Sequence, residues 1–160
     1  MAAHDVFSET NPGFCTYALG AFTTAYTSVN ENGPEVPIIY LALPLALSGD
    51  LSTAFDGTNK NTGLLEWLGR HPRVQVGLAA RVNATIQMVS EAIRLACFTR
   101  VVELDETARL RPGSEKLKRS AINALSKEPA EAINYAERLG YWFARTGSTR
   151  AVFDIMGLTV

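Results

Sequence analysis

The residues able to do chemistry in this chain are few and widely spread. Cys15 and Cys97 are its two thiols, and His4 and His71 its two imidazoles. A zinc site needs several His, Cys or carboxylate ligands at regular spacing, and neither histidine stands at such a spacing from a cysteine. A nucleophilic thiol needs a lowered pKa, whereas Cys97 falls inside an apolar stripe. Both cysteines read as reduced core residues. Carboxylates pair in sequence at Asp105 and Glu106, Glu128 and Glu131, and Glu91 with Glu103. General acid–base work requires two carboxylates in different environments across a cleft. Asp105 and Glu106 read instead as a solvated turn, and Glu91, three residues before Arg94, as half of a surface ion pair. No Gly-Lys-Ser/Thr phosphate loop, dinucleotide fingerprint or Gly-x-Ser-x-Gly elbow occurs. Asn83-Ala84-Thr85 matches a glycosylation acceptor, which matters only in a secreted chain. The expectation is a protein that is not an enzyme and binds no cofactor or metal. A small enzyme using Cys97 or a carboxylate pair is the third-ranked alternative.

Two features suit binding. Residues 109–119 hold five bases, Arg109, Arg111, Lys116, Lys118 and Arg119, against one acid, Glu115. These bases could meet backbone phosphates, an acidic protein, or only water. The second feature is the cluster Tyr135, Tyr141, Trp142 and Phe143. One helical stripe cannot bury all four, because consecutive residues diverge by about 100°. One face is core and another packs on a neighbour, either an intrachain helix or a partner chain. Tyr141, Trp142, Arg145 and Phe153 are the candidate partner-interface residues, since Tyr, Trp and Arg anchor interfaces.

The elements that must position these residues can be read from turn signals and periodicity. Pro12 can open a helix, and Phe14, Ala18, Phe22 and Tyr26 form its apolar stripe, to about Val29. Residues 36–47 are apolar throughout and interrupted by Pro37 and Pro44. They read as a buried extended segment followed by a helical turn over 45–51, because Pro44 interrupts a regular helix. A polar loop over 56–61 precedes a helix at 64–70. A helical region covers 74–98, with a stripe of Ile86, Val89, Ile93 and Cys97 and a possible bend near 82–83. Strands at 102–104 and 108–110 form a hairpin around 105–107. Ser114 can cap a helix over 115–125, Pro129 starts another, and the last runs over 149–156.

The fold class is therefore mainly α with a short β-hairpin, in one domain over 1–160 with residues 1–10 as a flexible tail. Helices at 64–98 followed by a hairpin ending at 111 fit the order of a winged-helix-like core, flanked by N- and C-terminal helices. The start lacks a basic region followed by an apolar stretch, so no signal peptide is expected, and 36–47 is too short to span a bilayer. A cytoplasmic protein without membrane contact is expected. The chain is 47% hydrophobic and 19% charged, below the usual charged share of about 25%. Such a composition predicts apolar surface that meets another protein. The net charge of −1 gives no general attraction to nucleic acid or lipid.

The C-terminal third carries a resemblance. Leu139-Gly140-Tyr141-Trp142-Phe143-Ala144-Arg145-Thr146-Gly147-Ser148, then Val152-Phe153-Asp154-Ile155-Met156-Gly157-Leu158, resembles the end of the small middle components of three-component ABC ATPase systems. Asn11-Pro12-Gly13-Phe14-Cys15, Leu41-Ala42-Leu43-Pro44-Leu45, the Trp67 helix and the strand at 101–105 are similar to that family too. Thr99-Arg100 stands where the family leads one to expect a glycine turn. The resemblance implies a non-catalytic adaptor in a hetero-oligomer. It would bridge an SMC/Rad50-like ABC ATPase and an effector, such as a nuclease, in Lamassu-type defence against phage and plasmids. The alternative is a winged-helix DNA-binding protein using the 109–119 bases.

Overall fold

The computed structural model describes residues 12–116 and 118–159. The expected tail at 1–10, and His4 with it, lie outside the described residues. Helix α1 (Pro12–Val29) opens on Pro12 and buries the expected stripe of Phe14, Ala18, Phe22 and Tyr26. It packs mainly against α6 (Lys127–Thr146), and these two helices form the centre of the fold. Gly140 permits their approach. A Cβ there would lie 2.6 Å from the Phe22 carbonyl oxygen and 2.9 Å from the Ala25 Cβ.

Residues 36–47 differ from the extended segment expected. They form helix α2 (Val36–Leu47), with Pro37 in the first turn and Pro44 inside. Ile38, Ile39 and every residue from Leu41 to Leu47 are buried, so their backbone groups need partners away from water. A helix supplies those locally and loses only the bond that Pro44 cannot donate. Pro within a helix costs about 3 kcal/mol, while each buried Leu or Ile returns roughly 1.5–3 kcal/mol. The 3₁₀ segment Gly49–Phe55 turns away from α2 by 89°. Among the described residues no single helix is long and apolar enough to cross a membrane.

Helix α3 (Leu64–Arg70) and the 3₁₀ turn Pro72–Gln75 lead to α4 (Leu78–Phe98). Helix α4 is continuous through 82–83, and the break falls earlier, at Gly77 with φ +66°. Its buried positions are Leu78, Thr85, Val89, Ala92 and Ala96. Ile86, expected in the stripe, is 46% exposed. The rest of the stripe does face the core, Val89 fully buried and Ile93 and Cys97 half-buried against it, and Thr85, Ala92 and Ala96 complete the buried face, where small residues suit the contact with α1 and α2.

Strands β1 (Val102–Leu104) and β2 (Leu110–Pro112) pair antiparallel, with Glu103 opposite Arg111. The second strand starts two residues later than the sequence suggests. The Asp105 carboxylate accepts from the backbone N–H groups of Thr107 and Arg109 at 2.8 and 3.1 Å, which widens the loop to 105–109. The turn at 33–36 lies along the hairpin: Leu110 N–H donates to Pro34 O at 2.8 Å and Val36 N–H to Ala108 O at 3.1 Å. A Cβ on Gly33 would stand 2.1 Å from Leu110 O.

Of the helix expected over 115–125, the described residues hold only α5 (Arg119–Asn123), with Lys118 at its N-cap position. Helix α7 (Thr149–Ile155) is capped by Ser148, whose hydroxyl accepts from Ala151 N–H at 3.1 Å. The mainly helical fold with a two-stranded hairpin agrees with the sequence reading. The winged-helix grouping of 64–111 is not a packing unit of its own: α3 packs on α6, while the hairpin rests on α1 and the end of α4.

Candidate functional site

The aromatic cluster separates into core and surface. Tyr135, Leu139, Trp142 and Phe143 fall within about 100° of arc on α6 at about 100° per residue, and all four are buried. Phe55 stacks on Tyr135 at 4.2 Å and 9°, and Trp67 meets Trp142 at 5.3 Å. Both indoles are satisfied inside the chain: Trp67 Nε1 donates to Ala54 O at 2.8 Å and Trp142 Nε1 to Asn59 O at 3.0 Å. Trp142, expected at a partner interface, is therefore a core residue and presents no surface. Its burial depends on the 56–61 loop, which nothing in the helix periodicity announces.

Tyr141 points to the opposite side of α6 and is half-buried. Lys60 Nζ and Arg145 Cζ each lie 5.8 Å from its ring centroid, a spacing at which a cation is attracted to the ring face. Arg145 also donates to the Lys60 carbonyl. Phe153 is half-buried against the core. Of the proposed interface set, Tyr141 and Arg145 stand together on the surface, Phe153 is apart on α7, and Lys60 joins them unforeseen.

The basic run also divides. Arg109 donates to Gly33 O at 2.8 Å and pairs with Glu35 at 3.4 Å. Arg111 pairs with Asp105 at 3.2 Å and donates to Glu31 O at 3.2 Å. These two fasten the hairpin to the turn at 31–35. Arg119 lies 3.8 Å from Glu137. Lys116 and Lys118 are exposed and have no carboxylate partner among the described residues. The hydroxyl of Thr107 most strongly, with the N–H groups of Arg109 and Thr107 and the Arg111 guanidinium, holds the Asp105 carboxyl below its usual range, against desolvation that acts the other way.

Burial pushes the Cys15 thiol up to about 11 and raises that of Cys97. Both are protonated at neutral pH, the reverse of what an activated nucleophile needs. Cys15 Sγ faces Met88 Sδ at 3.8 Å. Among the described residues no group of three or more His, Cys, Asp or Glu could hold a metal ion. Glu131 pairs with Lys127 at 4.0 Å, an ordinary surface arrangement.

Beside Tyr141, a groove of about 400 Å³ runs over the outward side of α1. Ala21 and Ala25 line it together with Ile122 of α5 and Tyr141 of α6. Large apolar side chains elsewhere are exposed, chiefly Leu65, Val76 and Phe98, the last at 85%.

The family model described as ABC-three component (ABC-3C) system Middle Component 3 matches residues 4–160. The chain belongs to that family. No curated protein and no solved structure matches it. As a Middle Component 3 protein it is one part of a multi-component ABC system, which implies partners of other kinds in a hetero-oligomer. The Middle Component 3 assignment covers the aromatic core, the hairpin and the groove alike, since all lie within the matched residues.

Proposed function

We propose that this Middle Component 3 chain is a non-catalytic adaptor, which bridges an SMC/Rad50-like ABC ATPase and an effector subunit in a Lamassu-type anti-phage or anti-plasmid complex in the cytoplasm. Membership of the Middle Component 3 family over residues 4–160 carries the reading. The exposed Leu65, Val76 and Phe98 support it, because apolar surface of this kind is covered when subunits assemble. In such a complex the ATPase senses foreign DNA, the effector does the damage, and the adaptor holds the effector inactive until the signal arrives.

Co-expression with the two genes that accompany it tests this. The three products are expected to elute together from size exclusion, and removal of this chain is expected to abolish plasmid or phage restriction. Elution of the chain apart from both products, or restriction that persists without it, overturns the reading. So does an effector-independent catalytic activity of the isolated chain that is lost on Cys97→Ala.

A further inference from the structure

A second groove, of about 350 Å³, runs along the start of α1 beside the last turn of α4. Gly13 and Tyr17 of α1, Leu95 of α4 and the exposed Lys116 and Lys118 line it, and among the described residues no carboxylate does. Neither lysine has a carboxylate partner among the described residues. Phe98, in the same last turn as Leu95, is 85% exposed. The neighbouring groove over Ala21 and Ala25 is different: Lys116 and Arg119 meet Glu115 and Glu137 there, so it selects neither sign of charge. The chain enters α1 at Pro12, next to Gly13 on the groove wall. The stretch before it, residues 1–11, holds two carboxylates, Asp5 and Glu9, with the apolar pair Val6-Phe7 between them and no Lys or Arg. At about 3.3 Å or more per extended residue, Asp5 and Glu9 are within reach of both lysines.

We infer that this groove seats the chain's own N-terminal segment, residues 1–11. Val6 and Phe7 rest on Tyr17 and Leu95 beside Phe98, and Asp5 and Glu9 face Lys116 and Lys118. Two carboxylates then meet two lysines on a wall where the described residues put no acid, which selects this groove over its charge-balanced neighbour. The tether supplies the rest. A segment joined to the groove wall meets it at an effective concentration in the millimolar range, so weak contacts suffice. Another subunit that uses this surface must first displace the segment. Such docking needs no other subunit, so it stands or falls apart from the adaptor reading.

Chymotrypsin cleavage of the full chain after Phe7, followed by mass spectrometry, tests this, because cleavage tracks the undocked population. A peptide of residues 1–13 gives the unprotected rate. Wild type is expected to be cut about tenfold more slowly than the peptide. Lys116→Glu combined with Lys118→Glu, at two exposed positions, is expected to remove that protection, with folding checked by circular dichroism. Asp5→Lys combined with Glu9→Lys is expected to remove it too, measured against a peptide carrying the same two changes. All four changes together are expected to restore it. Lys60→Glu, which lines neither groove, is expected to change nothing. Wild type cut as fast as the peptide overturns the inference. So does protection that survives either charge reversal, or that the four changes together fail to restore. Protection that rises with chain concentration between about 1 and 100 μM assigns the groove to a second copy and overturns it. Protection that appears only with an added ATPase or effector product assigns the groove to that subunit, which overturns it and leaves the adaptor reading standing.

Discussion

The Trp142 indole N–H donates to the Asn59 carbonyl at 3.0 Å, 83 residues away in sequence. That bond closes the polar 56–61 loop over the ring stack of Phe55, Trp67 and Trp142. Trp142→Phe keeps an aromatic ring, smaller than the indole, and deletes the donor, leaving a carbonyl without its partner. We expect a loss of about 1–3 kcal/mol, and about 3–5 kcal/mol for Trp142→Ala. Chemical denaturation monitored by Trp67 fluorescence measures both. A loss below about 0.5 kcal/mol for Trp142→Ala contradicts the core assignment.

Gly140 is required by the contact of α1 with α6. Gly140→Ala places a Cβ 2.6 Å from Phe22 O, which is backbone and cannot swing aside. The expected cost is about 1–3 kcal/mol. Gly49→Ala, where nothing lies within 4 Å of the new Cβ, is the matched control and should change the melting temperature little. Equal effects at the two positions refute the argument.

Arg100 and Ala108 have φ of +61° and +60°, the left-handed region that favours glycine. Arg100 occupies the position at which the family resemblance leads one to expect a glycine turn. Arg100→Gly and Ala108→Gly are each expected to stabilise the fold by about 0.5–1 kcal/mol. The Arg100 contact that matters is its carbonyl, which accepts from Glu115 N–H at 3.0 Å and survives the change. A fall in melting temperature at both sites contradicts the prediction.

Asp105 gives the hairpin a dependence on acid. Its carboxyl is held below its ordinary value in the folded state, so it stabilises the fold above the unfolded value of about 3.9. That stabilisation is lost as pH falls from there toward the folded value. The group is open to solvent, which screens the effect. Asp105→Asn is expected to flatten the stability profile below about pH 4 relative to wild type, read from urea midpoints. A profile unchanged in slope is the contrary result.

Legibility in the sequence followed the physics of each segment. The stripe of α1 was readable because Phe14, Ala18, Phe22 and Tyr26 repeat with one helical period and all face the core. Helix α2 was not, because it is apolar on every side and has no period to detect, and Pro44 argued against a helix. In α4 the stripe was legible at Val89, with Ile93 and Cys97 half-buried beside it, but Thr85, Ala92 and Ala96, whose types do not announce burial, complete the buried face, and Ile86 lies outside it. The bases at 109–119 were visible, but that Arg109 and Arg111 serve the 31–35 turn follows from a contact between distant segments. For the same reason the sequence offered Trp142 for the surface, when Tyr141 is the member of that pair left outside. Lys60 went unnoticed because its meaning arises only beside Tyr141.

The pairing of α1 with α6 has a consequence for synthesis. The first described helix finds its main neighbour more than a hundred residues downstream, and Glu35 accepts from the Thr149 hydroxyl at 2.9 Å across 114 residues. Such non-local closure slows folding and leaves apolar segments uncovered meanwhile. The ribosome must deliver α6 before the centre can shut, so α1 and the all-apolar α2 emerge and wait without their covering helix. A truncation before α6 would remove the partner of α1 and leave an adhesive fragment.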